Sequence, residues 1–218
     1  MTSHMSIDLR KRFRELWGRS LLAGATNQGD SRFDTLLRHY GARERRYHGW
    51  GHLTHCLSEF DGCSGLMDCP DAVEMALWLH DAIYVPGAAT NEQDSAALFQ
   101  TMAHNQHDPD HIRTVCHYIL LTRHRDEPND ADGCYVVDID LSQLASEWSE
   151  YVQDSDNIRR EAAHIPDDTF FPAQLGFLRG LLGRERIFRT EWFHARYEHA
   201  ARENVSNFIA RLQAAGYE

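Results

Sequence analysis

The sequence predicts an all-α protein, and three observations carry that expectation. Apolar residues recur at the three- and four-residue spacing of a helical face through most of the chain. Few segments alternate with period two, and the apolar run from Cys134 to Val137 is short and isolated. Helix punctuation, in the form of N-cap residues, an early Pro or a closing Gly, falls between the periodic segments.

The elements follow in order. Leu9, Phe13, Leu16 and Trp17 mark a first helix, and Phe33, Leu36, Leu37 and Tyr40 a second, closed by Gly41. A third covers His52 to Phe60, with Leu53, Leu57 and Phe60 on one side. Pro70 opens a fourth that carries Val73, Leu77, His80 and Tyr84. Thr90-Asn91-Glu92-Gln93 has the form of a capping box and predicts a fifth helix reaching Ala103. Asp108-Pro109 reads as the N-cap and first residue of a sixth, ending near His124. Further helices are expected around 140–163, 169–183 and 191–214. With no repeat, low-complexity tract or linker, the reading is one domain over 1–218. Residues 1–5 read as a disordered or appended start, and His4 is assigned no role.

Composition excludes several function classes. A chain of 218 residues buries roughly 70% of its unfolded surface, enough for a core without disulfides. Hydrophobic residues at 42% and charged residues at 25% argue against extensive disorder. The net charge of −11 argues against nucleic-acid polymers and anionic membrane surfaces as partners. No apolar run approaches the ~20 residues of a membrane span, and no signal peptide opens the chain. The five cysteines are odd in number and lack a CxxC pair, which predicts buried free thiols and a cytoplasmic location. Histidine stands out instead, with 14 residues, and imidazole is the commonest metal ligand.

Three stretches place such residues where chemistry needs them. In Tyr47-His48-Gly49-Trp50-Gly51-His52 the histidines are four apart and share a face if helical. Gly49 occupies the position where a zinc peptidase needs Glu, which excludes that class. The two glycines predict a loop entering a helix, with room for a ligand to approach backbone. His80-Asp81 sits late in a strongly apolar helix, where an unpaired carboxylate costs several kcal/mol. A divalent cation answers that cost better than a self-satisfied His-Asp pair. Asp138 and Asp140 follow an apolar run at an expected helix start. Of the two, Asp140 is the preferred metal ligand and Asp138 the N-cap.

The ordered set His52, His80-Asp81 and Asp140 resembles the H…HD…D signature of the HD superfamily of metal-dependent phosphohydrolases. More narrowly, five segments are similar to a bacterial family of predicted HD phosphohydrolases: 45–52, 79–84, 91–96, 119–124 and 138–141. The similarity continues through Glu198…Ala201-Arg202-Glu203-Asn204 and so spans most of the chain. It implies an HD-like helical bundle in which His52, His80, Asp81 and Asp140 ligate one divalent cation, whether Mn, Mg, Fe, Co, Ni or Zn. It also places His48 like a histidine that, in related cyclic-nucleotide phosphodiesterases, donates a proton to the leaving oxygen. The sequence departs at Gly49, where those relatives have Asn. It departs again at Ala173-Gln174, where the family carries Gly-Arg.

On this reading a metal-activated water attacks a small phosphate ester, nucleotides included. Asp81 bridges a second cation or acts as base, and His48 is the acid. Arg45 and Arg123, with His124, are the expected substrate contacts, because Arg holds phosphate bidentately. His117 and His124, seven apart, are expected on one face of the sixth helix, where they allow a second metal. That possibility keeps a di-iron HD-type oxygenase open, and the departures keep open a non-catalytic nucleotide- or effector-binding protein. His104, His107 and His111 are expected to be solvated. Trp192, Phe193 and Tyr197 read as core or as a dimer surface, so a homo-oligomer is compatible with the sequence.

Overall fold

In the computed structural model the apolar periodicity becomes ten α-helices and two short 3-10 turns, with no strand among the described residues. Backbone is described from residue 2 and side chains from residue 8, so the side chain of His4 lies outside the described residues. The helices are α1 Thr2–Arg19, α2 Gly29–Tyr40, α3 Trp50–Cys63, α4 Pro70–Leu79 and α5 Asn91–Ala103. They continue as α6 Pro109–Leu121, α7 Ala131–Leu141, α8 Trp148–Glu161, α9 Asp167–Leu182 and α10 Glu191–Ala214. None is long and apolar enough to cross a membrane.

The centre of the fold is α4. Every residue from Ala72 to Leu79 is buried, and the one charged member, Glu74, pairs with Arg12 at 2.6 Å. Trp78 anchors α1 and α2 to it, with ring centroids 5.2 Å from Phe13 and 6.1 Å from Phe33. Because α4 stops at Leu79, His80 and Asp81 emerge from its end inside the molecule instead of at its surface. The expected continuation to Tyr84 does not form. The chain turns after His80, and α5 holds that turn: Ser95 exchanges hydrogen bonds with the Ile83 backbone and Asn91 with that of Val85.

A second, smaller apolar cluster joins α8, α9 and α10 through Tyr151, Leu175, Leu178, Val205 and Phe208. Leu144 and Leu182 pack against both clusters and connect them. Phe193 is fully buried in the main core, with Trp192 and Tyr197 half-buried beside it.

Several local expectations are corrected. A helix is present at 131–141 where none was expected, so Asp138 and Asp140 sit near its end, not at a helix start. Its N-cap is Asp130, which accepts from Gly133 N at 2.6 Å. Thr90 stands at the N-cap of α5, but its hydroxyl donates to Asp94 instead of completing a capping box. Asp108 does cap α6, accepting from the Asp110 and His111 N–H groups. The cysteines are free, yet only Cys56 and Cys63 are buried, and Cys69 is exposed. His107 is 1% exposed, not solvated: its ring lies 4.2 Å from that of Trp17.

Candidate metal centre

Four elements meet around one point: α3 brings His52 and Cys56, the end of α4 brings His80 and Asp81, the end of α7 brings Asp140, and the turn after α6 brings His124. His52, Cys56, His80 and Asp140 form a group that could hold a metal ion.

Hydrogen bonds fix which ring nitrogens face that point. His80 Nδ1 donates to the Leu77 carbonyl at 2.8 Å, and His52 Nδ1 donates to Gln143 Oε1 at 2.7 Å. In the neutral rings both Nε2 lone pairs then point inward, and they stand 3.2 Å apart with no proton to share. Outer partners of this kind are what orient metal-bound imidazoles. Asp140 Oδ1 lies 3.0 Å from His52 Nε2 and 3.4 Å from His80 Nε2. Ligands about 2.1 Å from a common cation are separated by about 3.0–3.4 Å in octahedral or tetrahedral geometry, so the donor set fits one ion. Asp81 Oδ2, 3.2 Å from His80 Nε2 and 3.8 Å from His52 Nε2, borders the same point.

The electrostatics agree with the geometry. Burial opposes charge on both imidazoles. Even so, Asp81 and Asp140 hold His80, and Cys56, Tyr47 and Asp140 hold His52, well above the usual histidine range. Burial would likewise raise the two carboxyls, yet His80 above all holds Asp81 and Asp140 below the usual carboxylate range. The point therefore favours positive charge, whether supplied by protons or by a cation.

Cys56, one turn after His52 on α3, is the member of this group that sequence reading leaves among structural thiols. Its sulfur lies 3.7 Å from His52 Nε2, and the four-residue spacing is the signal that points to it.

His48 precedes α3, so its approach to His52, with ring centroids 6.3 Å apart, comes from a turn and not from a shared helix face. Glu161, at the end of α8, holds it. One carboxylate oxygen accepts from the N–H groups of Arg46, Tyr47 and His48, and the other meets His48 Nδ1 at 2.6 Å. Burial opposes ionisation of Glu161, but His48 and these amides hold it below the usual carboxylate range. The His48 ring also stacks on Tyr84 at 3.9 Å. Gly49 is the N-cap of α3, and the space beside it belongs to protein and not to a ligand: a Cβ there would meet the Tyr40 carbonyl at 3.3 Å.

The Arg45 guanidinium donates to the carbonyls of His48, Asp81 and Ala82, the first at 3.0 Å and the last at 2.9 Å. It therefore ties the His48 turn to the His80-Asp81 turn. Arg123, held by the Leu120 carbonyl and Asp126, lines the cavity over the metal group.

His124 reaches that cavity by a different route from the expected helix face. Helix α6 ends at Leu121, and His124 adopts a left-handed backbone with φ 56°, uncommon for a non-glycine residue and characteristic of functional sites. From there its Nε2 meets the second oxygen of Asp140 at 2.8 Å. His117 stays behind on the helix and pairs with Asn129 at an exposed position.

Two adjoining cavities complete the site. The one over the metal group is about 300 Å³ and contains His48, Asp81, Arg123, His124 and Asp140. The other, about 510 Å³, opens between the His48 turn, α8 and α9. No protein-family model, curated protein or solved structure matches the chain.

Proposed function

We propose that the chain is a metal-dependent phosphohydrolase that cleaves a small phosphate ester, nucleotides being one candidate class. The observation that carries this reading is the pair of inward-facing Nε2 lone pairs, 3.2 Å apart, with Asp140 and Asp81 beside them. The likeness of His52, His80-Asp81 and Asp140 to the HD signature supports the same assignment.

A divalent cation bound there supplies a water of lowered pKa and neutralises charge on the phosphoryl group. Mixed nitrogen and oxygen donors suit Mn, Fe, Co, Ni or Zn, with Mg also compatible, and a contribution from Cys56 would favour Zn. His52, His80, Asp81 and Asp140 are the proposed ligands. Asp81 has the position to orient the attacking water. His48, held through Nδ1 by Glu161, has Nε2 left to carry a proton to the departing oxygen. Arg123 and His124 line the space for the phosphoryl oxygens. Arg45 acts on the site through the backbone carbonyls it fastens together.

The test joins metal analysis of the purified chain with phosphate release from nucleotides and sugar phosphates. Metal-dependent release that is lost in Asp81→Ala supports the hydrolase. Metal retention with no release over the whole panel supports a binding module, and two irons with O₂-dependent turnover support an oxygenase.

A further inference from the structure

The larger cavity differs in chemistry from the one it joins. Tyr47, His48, Tyr84, Leu144, Ile158 and Phe177 line both, so the two spaces adjoin and His48 stands on their shared wall. Beyond that wall the lining is mainly aliphatic and aromatic, and among the described residues no Lys or Arg contributes to it. The nearby Arg159 is engaged elsewhere, by Asp167 and the carbonyls of Ala162 and Ile165. Asp154 is the one carboxylate in the lining, and it accepts from Gln143 at 3.1 Å.

Phe177 stands at the junction of the two cavities and is 43% exposed.

We infer that this cavity takes the organic group esterified to the phosphate, and that this group is a ring-bearing, uncharged or cationic alcohol. The inference rests on the phosphohydrolase reading for the position of the phosphate. With Arg45 committed to carbonyls, Arg123 is the arginine lining the metal-side cavity, enough for one phosphoryl group. A second or third phosphate would have to enter an apolar space facing Asp154, where an unpaired anion is strongly disfavoured. The assignment is therefore a monoester of such an alcohol, not a nucleoside triphosphate. A cavity of about 510 Å³ falls within the range of small-molecule pockets.

Binding is measured apart from turnover, by fluorescence titration of the full chain with 5-amino-1-naphthol and with 5-carboxy-1-naphthol. The amino alcohol is expected to bind at least about tenfold more tightly than the carboxylate. Ala173→Trp, which fills the cavity from α9, should weaken it at least about tenfold. Equal affinities for the two probes, or an affinity indifferent to Ala173→Trp, overturn the inference. Phosphate release from 1-naphthyl phosphate and from glycerol phosphate by the metal-loaded chain separates the two proposals. If both esters react with equal kcat/KM, the hydrolase reading stands and the cavity assignment fails. If neither reacts while the amino alcohol still binds and responds to Ala173→Trp, the hydrolase reading fails and the cavity's preference stands.

Discussion

Glu161 and His48 are locked together across 113 residues of sequence: one oxygen of the carboxylate meets His48 Nδ1 at 2.6 Å, and the other collects the three N–H groups that lead up to the ring. A single side chain thus sets the backbone of the turn and the tautomer of its histidine. Glu161→Gln keeps an acceptor for the amides but offers the ring an N–H in place of a carboxylate. On the proposed function, kcat should fall about 10- to 100-fold with metal content unchanged, the usual scale for a lost orienting partner. Steady-state kinetics with parallel metal analysis read this, and an unchanged kcat would sink the role given to Glu161.

On the proposed ligand set, a cation held by His52, His80 and the two carboxylates stabilises the folded chain. Chelation should lower the melting temperature, and adding Zn or Mn should restore it in proportion to the logarithm of free metal. In Asp140→Ala the response should disappear. Thermal melts across a metal titration check both, and a melting temperature indifferent to metal would contradict the proposed ligand set.

His107 supplies a pH dependence away from the site. Burial chiefly, with His111 nearby, pushes its pKa down to about 4 from an ordinary 6.5, and neither ring nitrogen has a hydrogen-bond partner. The unfolded chain then binds more protons than the folded one between these values, so stability falls as pH drops from 6.5 towards 4. His55, also pushed to about 4, adds with the same sign. Urea midpoints measured over that interval should fall less steeply for His107→Phe than for the natural chain.

Arg45 offers a direct contrast between bracing and substrate contact. Lysine cannot span the carbonyls of His48, Asp81 and Ala82 as the planar guanidinium does. Arg45→Lys is expected to lose about 1–3 kcal/mol of stability in denaturant titrations, with a larger effect on kcat than on KM. A rise confined to KM would return Arg45 to the substrate.

Much of the helical frame was legible because one face of each amphipathic helix repeats in the sequence: Phe13, Leu16 and Trp17 in α1, or Phe33 and Leu36 in α2, need no tertiary information. Helix α7 escaped because it is buried nearly all round, so Tyr135 to Ile139 shows a run and not a stripe. That miss inverted the setting of Asp138 and Asp140 without changing which of them faces the histidines, since residues two apart on a helix point to nearly opposite sides. The ends of α4 and α6 were also illegible. They depend on side-chain bonds from Asn91, Ser95 and Arg184 to the turns that follow, which form only once the chain has folded back on itself. Glu161 had no local signal, because it acquires meaning only from what the fold sets opposite it.

Asp138, buried at the end of α7, accepts from the Arg189 and Thr190 N–H groups at 2.8 and 2.7 Å and from the Thr190 hydroxyl at 2.7 Å. Removing it leaves those donors facing a void, and Asp138→Ala is expected to cost about 2–4 kcal/mol in urea denaturation.

The same last turn of α7 therefore works in two directions, holding the start of α10 through Asp138 and offering Asp140 to the histidines. The C-terminal quarter of the chain, which supplies none of the proposed ligands, becomes the mechanical footing of the site. The amides of Arg189 and Thr190 are then natural reporters: their hydrogen-exchange protection should rise when metal loads, a signal of occupancy legible without any substrate.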